Sequence, residues 1–124
     1  MPDYTVLIVE DNEKNRKLLR DLLRVHGYRY VEAADGLTGL AMAREHRPDL
    51  ILMDIQLPGL DGYSATRQLK AEESIRAIPI IAVTSFAMKG EEVRALEAGC
   101  DAYISKPIDI HQLLATVQRF LPKD

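Results

Sequence analysis

A chain of 124 residues, with 16 lysines and arginines against 19 aspartates and glutamates for a formal charge of −3, has room for one compact domain, residues 1–124. It is poorly suited to hold the phosphate backbone of nucleic acid. An apolar fraction of 47% supplies a core, the single cysteine, Cys100, excludes an internal disulfide, and three dispersed histidines offer no zinc spacing. No run approaches the roughly 20 apolar residues of a membrane span, and Asp3 stands where a secretory signal carries positive charge, so a cytoplasmic protein binding neither membrane nor nucleic acid is expected.

Short apolar runs alternate with amphipathic ones from end to end, the pattern of a parallel sheet wrapped by helices in an α/β fold. Thr5 to Val9 reads as a buried strand. Leu18, Leu19, Leu22, Leu23 and Val25 then recur at helical spacing until Gly27. Tyr28 to Ala33 alternates and carries charge, as an edge strand does. Leu37, Leu40 and Ala41 mark a second helix that must end before Pro48, and Leu50 to Met53, apolar throughout, suits a strand covered on both faces. Asp61 is placed to cap a third helix reaching Leu69, and Ile80 to Val83 is a second fully apolar strand opened by Pro79. A fourth helix runs from about Lys89 to Ala98, its thin stripe of Met88, Val93 and Leu96 read as ordinary core. Ala102 to Ile104 is a short last strand, and Asp109 caps a helix with the stripe Ile110, Leu113, Leu114, Val117 and Phe120.

In such a sheet the residues just past each strand's carboxyl end share one edge, where ligands of open α/β folds bind. The first strand ends in Glu10-Asp11, the third in Asp54, the fourth in Thr84 and the last in Ser105-Lys106-Pro107. An acid after a strand is by itself an ordinary helix cap. Three carboxylates, a hydroxyl and an ammonium arriving together from distant parts of the chain are not. Like charges about 4 Å apart repel by roughly 4 kcal/mol at an effective dielectric near 20, so the cluster calls for a cation. Mg²⁺ fits, with its oxygen ligands and its use of one or two carboxylates plus a phosphate. Asp11 and Asp54 are the candidate direct ligands, and Asp54, ending a central strand, is the candidate nucleophile toward phosphorus. Lys106 and Thr84 are placed to hold a phosphoryl oxygen.

These residues, in this order, resemble a response-regulator receiver domain of two-component signalling. The resemblance covers essentially the whole chain and rests on Glu10-Asp11, on Asp54 within Met53-Asp54-Ile55-Gln56-Leu57-Pro58-Gly59, on Asp61-Gly62, on Thr84 and on Lys106-Pro107. It implies a flavodoxin-like (βα)5 fold with strand order 2-1-3-4-5. It implies phosphorylation of Asp54 by a sensor histidine kinase or a histidine phosphotransfer protein, with Mg²⁺ held by Asp11, Asp54 and the backbone carbonyl of Gln56, and with Glu10 acting through a metal-bound water. Thr84 and Tyr103 look like the family's switch pair, and Lys106-Pro107 like its cis peptide. Phe86 to Gly90 with Gly99 to Ile108 looks most like single-domain regulators of the DivK kind. Such a chain, having no output domain, would signal to a downstream protein target through the fourth helix, fifth strand and fifth helix.

A competing reading is a Mg²⁺-dependent phosphohydrolase working through an aspartyl phosphate. Enzymes of the haloacid dehalogenase type carry a second Asp two residues after the nucleophile as general acid. Here that residue is Gln56, whose amide cannot exchange a proton as a carboxyl does. Gly36 and Gly39 belong to neither a Walker pattern nor a dinucleotide fingerprint. Cys100 reads as a small buried residue, and His26, His46 and His111 as surface or cap residues. Ser85, following Thr84, is small enough to leave Asp54 accessible.

Overall fold

The computed structural model describes residues 3–85 and 90–122. Five strands, β1 (Thr5–Val9), β2 (Arg29–Ala33), β3 (Leu50–Asp54), β4 (Ile80–Thr84) and β5 (Ala102–Ser105), alternate with α1 (Glu13–Val25), α2 (Gly36–His46), α3 (Gly62–Ala71), α4 (Glu91–Ala98) and α5 (Ile110–Phe120). All neighbouring strands pair in parallel, in the order β2-β1-β3-β4-β5. This is the doubly wound, flavodoxin-like arrangement expected from the alternation and the resemblance.

The two faces of the sheet explain why the inner strands are apolar at every position. Leu7, Val9, Ile51, Met53, Ile80 and Ala82 face a layer formed by α2, α3 and α4, which brings in Leu40, Ala43, Tyr63, Leu69, Ala95 and Ala98. The intervening residues Val6, Ile8, Leu50, Leu52 and Ile81 face α1 and α5 through Leu19, Leu23, Leu113 and Val117. With side chains alternating across the pleat, a strand covered on both sides has no polar face to show. Asn12, Asp35, Asp61 and Asp109 cap α1, α2, α3 and α5 with side-chain oxygens that accept from backbone N–H groups in the first turn.

The stripes of α2 and α4 differ from the sequence reading. In α2, Leu37 is 70% exposed and Ala41 is also exposed. The buried face is Gly36, Gly39, Leu40 and Ala43, because the absent side chain of Gly39 lets the helix lie against Val9. In α4, Val93 and Leu96 are 55% and 54% exposed and are not core. Glu91, Ala95 and Ala98, spaced i, i+4 and i+7, form the inward face. The Glu91 side chain is covered because it accepts the hydroxyl proton of Tyr63 from α3. Met88 and Lys89 lie outside the described residues. Val25 at the end of α1 is likewise exposed, whereas Cys100 is buried as expected and burial pushes its thiol up to about 11, leaving it unreactive.

Gly62, the first residue of α3, ties the third helix to the end of β3. A methyl group there would stand 2.3 Å from the Asp54 carbonyl oxygen and 2.6 Å from the Ile55 Cα. Gly62 N–H instead donates to Ile55 O at 3.0 Å. Substituting Gly62→Ala is expected to destabilise the protein by about 1–3 kcal/mol, as overpacking against backbone does. Chemical denaturation checks this, and an alanine variant as stable as wild type would show that the loop after β3 gives way freely.

Candidate functional site

β1 and β3 are adjacent in register, Val9 opposite Met53, so Glu10 and Asp54 emerge side by side. Asp11 follows at the mouth of the α1 cap. One carboxylate oxygen from each of Glu10, Asp11 and Asp54 lies within 4.8 Å of the others. Glu10 and Asp54 are 1% and 2% exposed, while Asp11 faces solvent. Two buried carboxylates and one wet one thus form a cluster of hard oxygen donors.

Lys106 enters from the far edge. Its position is set by β4–β5 pairing, in which Thr84 lies opposite Ser105 and Lys106 N–H donates to Thr84 O at 2.6 Å. Its Nζ sits 2.8 Å from Glu10 Oε1 and 3.5 Å from Asp54 Oδ2. Burial pushes the Glu10 carboxyl up to about 7; the Lys106 ammonium opposes that rise and the neighbouring Asp54 adds to it. One ammonium among three carboxylates leaves an excess of negative charge. Together with the all-oxygen donor set, this excess suits a hard divalent cation.

The remaining residues are placed as follows. Thr84 ends β4 with its side chain wholly buried. Gln56 N–H donates to Asp54 Oδ1 at 3.0 Å, which orients the carboxylate and the Gln56 peptide together. Tyr103 lies in β5, half-buried against the α2–α3–α4 layer. The Lys106–Pro107 bond is cis. Two contacts have no signature in the sequence. The Gln56 side-chain oxygen accepts from the Ser85 N–H at 3.2 Å and from the Ser85 hydroxyl, so Ser85 is more than a small spacer. The Arg16 guanidinium donates to the Glu10 carbonyl at 2.9 Å. His26, His46 and His111 are all exposed and none joins the cluster.

The acidic mouth opens between two hollows. One, of about 590 Å³, is lined by Asp11, Gln56, Leu57, Pro58, Arg67 and Arg94. The other, of about 430 Å³, is lined by Asn15, Leu18, Ser85, Lys106, Pro107 and Ile108, and is mostly apolar. Among the described residues no helix is long and apolar enough to cross a membrane.

The chain is similar to known proteins in sequence and in fold. The sequence matches the response regulator receiver domain family over residues 6–118. It is 54% identical over 117 residues to the polar-differentiation response regulator DivK of Brucella anthropi, covering 94% of this chain and 95% of that protein. The receiver domain of a sensor histidine kinase from Pseudomonas aeruginosa, solved with a magnesium ion coordinated in its active-site cleft, superposes with a TM-score of 0.89 at 41% identity, covering 98% of this chain and 100% of that one. A Saccharomyces cerevisiae response-regulator receiver domain crystallised with its histidine phosphotransfer protein gives 0.89 at 32% identity, covering 96% and 89%. These relatives are signalling proteins, and none supports the phosphohydrolase reading. With its acids gathered at the carboxyl ends of β1 and β3 and its lysine beyond β5, the chain belongs to the response regulator receiver domains of two-component signalling, and within them is DivK-like.

Proposed function

We propose that Asp54 accepts a phosphoryl group from a phosphohistidine on a sensor kinase or a histidine phosphotransfer protein, and that the product gates contacts with a downstream protein. The observation that carries this reading is the Lys106 ammonium lying between the buried Glu10 and Asp54 carboxylates, 2.8 and 3.5 Å away. Asp54 Oδ1 is engaged by the Gln56 N–H, and Oδ2 faces Lys106. A carboxylate oxygen attacks phosphorus, the O–P bond forms as the P–N bond breaks, and the imidazole nitrogen leaves with its electron pair. Lys106 takes the charge of a phosphoryl oxygen, and the Thr84 hydroxyl donates to another. Asp11, Asp54 and the Gln56 carbonyl would hold Mg²⁺ directly and Glu10 through water. The ion supplies positive charge against the phosphoryl oxygens.

In this reading the chain works as a single cytoplasmic receiver unit that catalyses its own phosphorylation and slow dephosphorylation. Gln56 offers no general base to take a proton from the attacking water in the second step. The apolar hollow beside Lys106, with Leu18, Pro107 and Ile108, seats the donor protein. The output lies on α4, β5 and α5, where Val93 and Leu96 are exposed and where Thr84 and Tyr103 act as the switch pair. A histidine phosphotransfer protein carrying ³²P is the test. Label is expected to pass to this chain in Mg²⁺, to stop when the metal is chelated, and to be released by hydroxylamine. Label that stays on the donor with and without Mg²⁺ sinks the reading.

A further inference from the structure

Arg16 lies one turn into α1, where its own backbone N–H donates to Asn12 O at 2.9 Å. Helical side chains lean toward the helix N-terminus, so the guanidinium runs back over the first turn instead of out into solvent. There its Nη1 donates to the Glu10 carbonyl at 2.9 Å. Its Nε lies 3.3 Å from Glu32 Oε1 on β2, and its Nη2 pairs with Glu13. Arg20, one turn further along, holds the same Glu32 oxygen at 2.9 Å but makes no contact with Glu10. The carbonyl that Arg16 grips belongs to the peptide linking Glu10 to Asp11, two of the three acids in the cluster. Asn12 N–H meanwhile donates to Glu10 Oε2 at 3.1 Å from the next peptide along.

We propose that Arg16 is a positioning residue for the metal site, holding the Glu10–Asp11 peptide in the orientation that aims both carboxylates at one point. Its fork reaches three partners at once, with Glu32 and Glu13 fixing the guanidinium while one N–H grips the carbonyl. This inference rests on the Mg²⁺ reading given above. Position and charge predict opposite signs. A guanidinium near an acidic pocket repels a dication, so if charge were its whole effect, removing it would tighten Mg²⁺ binding. If it holds the peptide, removing it weakens binding.

The test is Mg²⁺ titration by calorimetry, well below the melting temperature, on wild type, Arg16→Gln, Arg16→Lys and Arg20→Gln, with Asp11→Asn as a control on the site itself. Arg16→Gln is expected to weaken binding about tenfold. Arg20→Gln, which removes a cation from the same Glu32 cluster, should leave it within about twofold or tighten it. Arg16→Lys keeps the charge and one donor and should recover part of the loss. Arg16→Gln that binds as tightly as wild type or more tightly overturns the proposal. Should Arg16→Gln fail to fold, an Arg16→Lys variant with affinity equal to wild type overturns it instead. The ¹⁵N shift of the Asp11 amide, which shares its peptide with the Glu10 carbonyl, gives a readout in metal-free protein. It is expected to move in Arg16→Gln and Arg16→Lys but not in Arg20→Gln, and an unmoved Asp11 amide counts against the proposal. Wild type that binds no Mg²⁺ while this amide still moves would sink the metal reading and leave the positioning contact standing.

Discussion

Asp54→Asn is expected to abolish phosphoryl uptake, from acetyl phosphate or from a phosphohistidine protein, by at least about a hundredfold. An amide oxygen carries no full negative charge and cannot form the acyl phosphate as a carboxylate does. The fold should survive the change. Asn preserves shape, Asp54 Oδ1 accepts one backbone N–H that the amide oxygen can also accept, and Lys106 keeps Glu10 as its closer partner. Removing one of two buried carboxylates also relieves their mutual repulsion. Intact-mass measurement after incubation with acetyl phosphate and Mg²⁺ checks this: one added phosphoryl group on wild type, none on the variant. Labelling of Asp54→Asn to the wild-type extent would show that another side chain is the acceptor.

Asp11→Asn is expected to separate the structural cost of the acidic cluster from its use. Asp11 brings a third negative charge to within 4.8 Å of two buried ones. Because it faces water, its repulsion lies nearer the high-dielectric limit, about 1 kcal/mol. Without metal the variant should therefore melt a few degrees higher than wild type, at about 4 °C per kcal/mol for a chain of this size. With Mg²⁺ the order reverses. At a free concentration of about 100 times the wild-type Kd, binding stabilises wild type by about 2.7 kcal/mol, and the variant, short of one direct ligand, should keep less than about a third of that. Melting curves across a Mg²⁺ series give both numbers. A variant whose melting temperature climbs with Mg²⁺ as wild type's does removes Asp11 from the ligand set.

Much of this protein is legible in its amino-acid sequence. The five apolar runs, the capping Asp61 and Asp109, and the stop before Pro48 are local signals, and α3 and α5 begin where those caps stand. That Glu10, Asp11, Asp54 and Lys106 would gather was legible because each follows the carboxyl end of a strand, and such ends share one edge of a parallel sheet. The phases of α2 and α4 were not. Where apolar residues are few, periodicity marks a helix without saying which side faces inward. The structure turned Gly39 and Ala43, and Ala95 and Ala98, toward the sheet, because small residues let a helix approach closely, and left Leu37, Val93 and Leu96 outside.

The amino-acid sequence by itself determined the alternation of strands and helices, the caps, and which carboxylates and which lysine reach the carboxyl edge of the sheet, since each depends on residue type and spacing along a strand or turn. Tertiary structure alone decided that Lys106 is nearer Glu10 than Asp54, that Gln56 reaches Ser85, and that Arg16 folds back onto the Glu10 carbonyl. Each of those contacts is set by the distance between packed elements and by the rotamer that fits the space left between them, and no local pattern in the chain encodes either.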